Sequence, residues 1–217
     1  SIKKSDKLIL EFVVTGSHLS SEFGFTINEI QHDGFKVNKQ IEMLMSSDSK
    51  VAVSKSVGLG IISFADYLAE INPDLVLILG DRYEIFSVAT ASMMASIPIG
   101  HIHGGELTEG AYDDAIRHSI TKMSYLHFVA TERYRHRVIQ LGENPNRVFT
   151  VGGLGIESIN KLQLLSKKDL ECKLNIKFTQ RNLLITYHPA TLDTFSPEHQ
   201  INELLHALDT LIDTSLI

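Results

Sequence analysis

Short apolar runs alternate along most of the chain with longer stretches in which apolar positions recur every three or four residues. The first kind reads as strands, the second as amphipathic helices. Residues 8–14 predict a strand ending at Thr15-Gly16-Ser17-His18, followed by a short helix over 28–32 and a short strand over 35–37. Residues 54–71 set Val57, Ile61, Leu68 and Ile71 on one broad helical face. The run Leu75-Val76-Leu77-Ile78-Leu79 predicts a strand covered by helices on both faces. A helix over 85–95, a strand over 97–102, a helix over 115–126, a strand over 126–130, a helix over 132–141 and a strand over 148–151 complete the pattern. Such alternation predicts an α/β fold with a Rossmann-like, doubly wound parallel sheet.

The pattern loosens over 162–174, where Ser166-Lys167-Lys168-Asp169 precedes a strand over 182–187 and a helix over 200–211. One strand and one helix cannot bury a core of their own, since units below about 40 residues rarely fold without a staple. The chain is therefore divided into an N-terminal Rossmann-like domain over 1–163 and a linker with the start of a second Rossmann-like domain over 164–217.

Composition narrows the function classes. With 217 residues and 43% hydrophobic content the chain is long enough for a large core. Cys172 is the single cysteine, so no intrachain disulfide forms, and no basic leader precedes an apolar segment; a cytoplasmic protein is expected. No uninterrupted apolar run reaches the roughly 18 to 20 residues of a membrane span, so no membrane partner is expected. The net charge of −6 argues against a nucleic-acid partner and leaves anionic small molecules open.

Candidate chemistry gathers where apolar runs end. Asp81 and Arg82 directly follow a strand: the carboxylate suits acid or base work, and the guanidinium fork suits a phosphate. The structural alternative is an N-cap aspartate beside a surface arginine. His101 and His103 share one side of an extended segment, Gly104 and Gly105 let backbone approach a ligand, and Glu106 follows. Two histidines with downstream acids also admit a metal-dependent hydrolase, or histidines merely hydrogen-bonded under a loop. Asp113 with Arg117, and Asp114 with His118, stand four apart on helical faces and can equally be solvated pairs. Gly152-Gly153-Leu154-Gly155 lacks the spacing of a dinucleotide fingerprint. His188 closes the first strand of the second domain.

Together these stretches resemble the hydrolysing UDP-N-acetylglucosamine 2-epimerases of the sialic-acid type. The matching segments are VTGSHLSSEFG (14–24), LGDRYEIFSVA (79–89), HIHGGELTEGAYDDAIRHSITKMSYLHF (101–128), RVIQLGENPNRVFTVGGLG (137–155) and TYHPATLDT (186–194). The resemblance implies a glycosyltransferase-B-like, two-domain architecture with substrate between the domains. The family's opening strand, with its arginine-bearing loop, and its later loop that holds uridine diphosphate have no match here. Relative to that family the chain is truncated at both ends, the second domain is largely missing, and the fragment alone is expected to be inactive. The implied reaction eliminates UDP and hydrates a 2-acetamidoglucal to N-acetylmannosamine, without a cofactor or a metal. A UDP-diacetamido-bacillosamine sugar is the alternative substrate, and a non-catalytic fragment the alternative role. By position the resemblance makes Asp81 and Asp113 catalytic acids, and Arg82, His188, His18 and His101 substrate-contacting residues. Several relatives carry glutamate where this chain has His103, so either His103 or Glu106 takes up the acid–base role. A homo-oligomer, dimer or tetramer, is also implied.

Overall fold

The computed structural model describes residue 2, residues 5–189 and residues 193–217. Positions 190–192 of the 186–194 segment lie outside the described residues. The chain divides into two compact units, Ser1–Glu106 with Asp113–Gly152, and Leu107–Tyr112 with Gly153–Ile217.

In the first unit the order is β1 (Val13–Thr15), α1 (Ile27–His32), β2 (Lys39–Ile41), α2 (Lys50–Ile71), β3 (Val76–Leu79), α3 (Tyr83–Met94), β4 (Ile99–Ile102), α4 (Asp113–Met123), β5 (Leu126–Val129), α5 (Glu132–Gln140) and β6 (Val148–Thr150). Strands β3-β4-β5-β6 form a four-stranded sheet and β1-β2 a separate pair, and every pairing is parallel. A parallel neighbour can be reached only through a crossover, which the intervening helices supply. The fold is thus α/β with a parallel sheet.

The strand expected over 35–37 lies instead at β2. Phe35 stacks on Phe12 with ring centroids 5.4 Å apart, while the Asn38 amide donates to the Phe12 carbonyl at 2.8 Å. Side-chain stacking, not a ladder, accounts for the apolar character of 35–37. The strand expected over 8–14 shortens to β1.

Helix α2 begins where the Ser49 side chain accepts from the Ala52 amide at 3.2 Å, and it ends at Asn72 in the left-handed region. Its Phe64, Tyr67 and Leu68 join Ile78, Val88, Ile99 and Ile120 in the main core. Contrary to the expectation from uninterrupted apolar runs, α2 is long and apolar enough to cross a membrane by length and composition alone. It carries Lys55, Asp66 and Glu70 and packs into that core, as a core helix does. At Gly60 the helix approaches α3 closely: a Cβ there would lie 2.7 Å from Met43 Cε and 2.9 Å from Ser87 Oγ.

Register sets what each sheet face presents. Ile78, His101, His127 and Val148 lie side by side across β3 to β6, and all four are buried. The neighbouring positions on β3 belong to the other face, where Leu75, Leu77 and Leu79 are 41%, 44% and 49% exposed. Burial of β3 on both faces, as expected from its continuous apolar run, is therefore not observed. Within the four-stranded sheet β3 is an edge strand, and only its Ile78 side points into the core.

The second unit contains α6 (Leu154–Lys161), α7 (Lys167–Leu174), β7 (Arg181–Leu183), α8 (Pro197–Asp209) and β8 (Thr214–Leu216), with β7 and β8 paired in parallel. Two helices and one strand exceed the single strand and helix expected. Residues 154–161, placed by the sequence reading in the first domain, group by contact with the second unit. Helix α7 opens on a serine N-cap: Ser166 Oγ accepts from the Asp169 amide at 3.2 Å and donates to Asp169 Oδ2 at 2.6 Å.

Candidate active site

The carboxyl edge of the four-stranded sheet brings together the residues that follow β3 and β4 and the first turns of α4. Leu79 pairs with Ile102 at the end of the ladder, so Asp81 and His103 leave adjacent strands at the same level. This is where open α/β sheets place their sites.

Asp81 is not an N-cap. Arg82 holds that position at α3 and makes no side-chain cap. The Asp81 carboxylate instead accepts from Arg117 Nη2, in an ion pair whose side chains are 21% and 7% exposed. Arg117 Nη1 also lies 3.7 Å from Asp114 Oδ1. Helical side chains lean toward the N-terminus, so Arg117, one turn after Asp113, carries its charge back toward the start of α4. Arg117 thus ties Asp81 to the first turn of α4, the turn that Asp113 opens. A solvated Asp113–Arg117 pair is not what forms: Arg117 is buried and its partners are Asp81 and Asp114. His118 does stand 3.6 Å from Asp114, at the four-residue spacing expected. The sequence reading took Arg117 as a partner of Asp113; the structure pairs it with Asp81 instead.

His101 is fully buried rather than lining the site. Nε2 lies 2.8 Å from the Gly80 carbonyl and Nδ1 3.2 Å from Thr121 Oγ1. A carbonyl only accepts, so Nε2 carries the proton and Nδ1 receives the threonine hydroxyl's. Burial is the largest influence on this ring and drives its pKa from 6.5 down to about 4; the Gly80 bond opposes the shift, and His127, His103 and His118 add repulsion. Its ring is thus engaged on both nitrogens inside the unit. A neutral His101 anchors the peptide immediately before Asp81.

His103 does not share a side with His101 along an extended segment. The strand has ended, and His103 adopts φ +65°, a left-handed conformation uncommon for a residue with a Cβ. Its amide donates to the Phe128 carbonyl at 2.9 Å, and Nδ1 meets Glu106 Oε1 at 2.5 Å. Neighbouring glycines permit this turn. A Cβ on Gly105, at φ +79°, would sit 2.6 Å from the Tyr134 carbonyl, and one on Gly104 would sit 3.1 Å from His101 Nδ1. These glycines allow close packing on α5 and His101. Arg137 Nη1 secures the loop by donating to the Gly105 carbonyl.

Among the described residues no three His, Cys, Asp or Glu side chains gather as a metal ion would require. His101 faces Gly80 and Thr121 while His103 faces Glu106, so the two histidines do not converge on a common point.

Arg82 is largely exposed, and its fork is occupied. Nε and Nη2 donate to the two Glu84 oxygens at 3.2 and 3.1 Å, and that bond is the leading cause of the raised arginine pKa. Glu84 is buried and abuts Gly16, which has φ +64° and where a Cβ would lie 2.7 Å from Glu84 Oε1. His18, two residues on, is exposed, with Nδ1 2.7 Å from Thr26 Oγ1. His188 belongs to the second unit and is exposed, in the segment after β7 rather than at the strand's end. Asp81, His103, Glu106 and the start of α4 are brought to one sheet edge; no hydrogen bond or ion pair joins His18 to them among the described residues.

A parallel α/β sheet with acids and a histidine gathered at its carboxyl edge belongs to the class of open α/β proteins, whose sites lie at that edge. The family model described as UDP-N-acetylglucosamine 2-epimerase matches residues 1–217, and the chain belongs to that family. It is 47% identical over 216 residues to the GDP/UDP-N,N'-diacetylbacillosamine 2-epimerase (hydrolyzing) of Campylobacter jejuni, covering 100% of this chain and 56% of that protein. It is 43% identical to polysialic acid biosynthesis protein P7 of Escherichia coli, covering 98% of this chain and 54% of that protein. Among solved structures, the UDP-GlcNAc 2-epimerase of Neisseria meningitidis bound to UDP-GlcNAc superposes with a TM-score of 0.74 at 20% identity, covering 100% of this chain and 66% of that one. The MnaA–UDP structure from S. aureus superposes at 0.78 and 19% identity, covering 99% and 56%. These likenesses give the fold: the glycosyltransferase-B-like α/β fold of the epimerases. The chain spans about half the length of the curated relatives it matches.

Proposed function

We propose that this chain is the N-terminal part of a hydrolysing UDP-N-acetylglucosamine 2-epimerase that yields UDP and N-acetylmannosamine for sialic-acid-type sugars. The observation that carries this reading is the meeting of Asp81, the His103–Glu106 loop and the start of α4 at one sheet edge, in a chain that matches the family throughout. A base takes the C2 proton while the C1–O bond breaks and its electron pair leaves with UDP, forming the C1=C2 double bond of the glycal. Water oxygen then adds to C1, and an acid delivers a proton to C2 from the opposite face. The sum is UDP-N-acetylglucosamine plus water giving UDP plus N-acetylmannosamine. Asp81 and Asp113 are the carboxylates for the two proton transfers at C2. Arg82 and His18, with His188 from the second unit, contact the nucleotide sugar, and Arg82 binds its diphosphate by sharing its fork with Glu84. Residues 164–217 belong, in this reading, to the second domain, and the protein is a homo-oligomer.

A second reading has UDP-N,N'-diacetylbacillosamine as substrate. It is favoured by the 47% identity to the Campylobacter jejuni enzyme over the whole chain. The deciding experiment incubates the full-length protein with each sugar nucleotide and follows UDP release and the configuration of the free sugar. Turnover of UDP-N-acetylglucosamine to N-acetylmannosamine, with loss of about 10²-fold or more in Asp81→Asn and Asp113→Asn, supports the first reading. Preference for the diacetamido sugar replaces it with the second. Wild-type rates in both variants refute the assignment of the two aspartates.

A further inference from the structure

We propose that His103 and Glu106 work as one acid–base unit, in which Nε2 of His103 exchanges the proton and Glu106 acts only by positioning the ring. The inference rests on the epimerase reading above and deepens it. Its basis is geometric. His103 Nδ1 lies 2.5 Å from Glu106 Oε1, with the two side chains 24% and 29% exposed, at the rim of the site rather than inside the core. An ionised carboxylate has only acceptors, so Nδ1 bears hydrogen and the lone pair of a neutral ring falls on Nε2. That nitrogen has no hydrogen-bond partner among the described residues.

The backbone adds a second argument. The left-handed φ of His103 is of the kind that persists only where surroundings over-determine it. Here the Phe128 carbonyl holds its amide, Glu106 holds its ring, and Arg137 holds the Gly105 carbonyl. Such fixation serves no purpose in the core, since neither side chain is buried there. It fixes the direction in which Nε2 points. The other ionisable groups around the loop are His101 beneath it, Arg137 from α5, and His118 and His127 from α4 and β5, which interact electrostatically with His101.

One residue then serves both events at C1. Imidazolium Nε2–H gives its proton to the departing phosphate oxygen as the C1–O bond breaks, leaving neutral imidazole. Neutral Nε2 takes a proton from water as the water oxygen bonds to C1, which restores the imidazolium. The proton given to UDP is replaced by the one from water, and no other reactant is needed. An imidazole nitrogen can donate in one protonation state and accept in the other, which suits both halves.

The test combines kinetics with ring spectroscopy on the full-length protein. Nitrogen-15 spectra of the neutral His103 ring, assigned by its loss in His103→Gln, are expected to show the Nδ1–H tautomer. In Glu106→Ala the ring reverts toward the Nε2–H form that predominates in water, kcat falls about 10- to 100-fold, and KM stays within about threefold. Glu106→Asp recovers part of the loss, and His103→Gln lowers kcat by about 10²-fold or more. An Nε2–H tautomer in the wild-type protein overturns the proposal, as does a kcat within threefold of wild type in Glu106→Ala. Should Glu106→Ala not fold, the wild-type tautomer still decides. If the protein releases UDP from neither sugar, the epimerase reading fails while the tautomer continues to test the pairing. If turnover is intact and survives His103→Gln, the pairing fails and the epimerase reading stands.

Discussion

Replacing His101 by glutamine removes a titrating ring from the core yet leaves an amide nitrogen at the position of Nε2, able to keep the bond to the Gly80 carbonyl. In the folded chain the neutral ring is strongly favoured: its pKa is about 4, against 6.5 for a free histidine. The unfolded chain therefore binds more protons between these values. The contribution of neutral His101 is fully present above pH 6.5 and is lost as pH falls toward 4. With 1.36 kcal/mol per pKa unit, the wild-type protein loses about 1.4 kcal/mol from this residue by pH 5.5 and about 2.5 kcal/mol by pH 4.5, compared with pH 7.5. That is a large share of a domain stability of about 5–15 kcal/mol.

Glutamine does not titrate in this range, so His101→Gln should lack this component while keeping every other source of acid sensitivity. His127, the neighbour across the ladder, has its pKa lowered mainly by burial, against the pull of Glu143, and continues to contribute in both proteins. The chain has no tryptophan, so urea unfolding is followed by circular dichroism at pH 7.5, 5.5 and 4.5. The variant is expected to be less stable at pH 7.5, having lost the Thr121 contact, and to close the gap by about 2.5 kcal/mol at pH 4.5. Parallel stability curves, with a gap constant to within about 0.5 kcal/mol, refute the claim that His101 is held neutral by burial.

Two further outcomes follow from packing. Gly60→Ala gains about 0.8–1 kcal/mol of helix propensity but drives a Cβ into Met43 and Ser87, an overpacking cost of about 1–3 kcal/mol. Net destabilisation of about 1 kcal/mol is expected in urea, and a gain in stability would falsify the close approach of α2 to α3. Arg117→Met leaves the Asp81 carboxylate without its cation and should cost about 3 kcal/mol together with most of the turnover, whereas Arg117→Lys retains the charge without the fork and recovers part of each. Equal behaviour of the two variants in urea and in UDP release would dissociate Arg117 from Asp81.

Much of the fold was legible because its elements carry strong local patterns. The apolar strands β3 and β4 and the long periodic helix α2 follow from residue type alone. What escaped has a physical cause in each case. Phe35 and Val37 look like a strand, but Phe35 spends its apolar surface on Phe12, and the ladder forms further on, at Lys39–Ile41. Helix α6 begins among the glycines of 152–155, which read as loop, whereas α7 announced itself in Ser166 and Asp169, an N-cap signal that was not used. Strand β8 has only three residues, Thr214, Ser215 and Leu216, and needs its partner β7 to exist at all. In the site, Asp81 and the His103 loop were legible from their places after strands. The reversal of His101 and Arg117 was not, because a histidine at a strand's end and an arginine on a charged helix face carry no local mark of burial. The register that sets His101 beside Ile78 and His127 does carry it.

That register also explains why the site is ordered before any ligand arrives. Side chains that meet substrate in an enzyme must be fixed by others that do not, and here the fixing groups come from inside the fold. His101 grips the carbonyl just ahead of Asp81, Arg117 grips its carboxylate, and Arg137 grips the glycine turn that carries His103 and Glu106. Two of these three depend on charge or tautomer. Acid that protonates His101 in the folded chain, near pH 4, therefore loosens the same strand end that carries Asp81, so turnover should fall there, after stability has already declined from pH 6.5 downward. Substitutions of His101 that keep the Gly80 bond test this: His101→Gln retains the anchor without the titration, and its turnover should outlast the wild-type protein's as pH falls through 4.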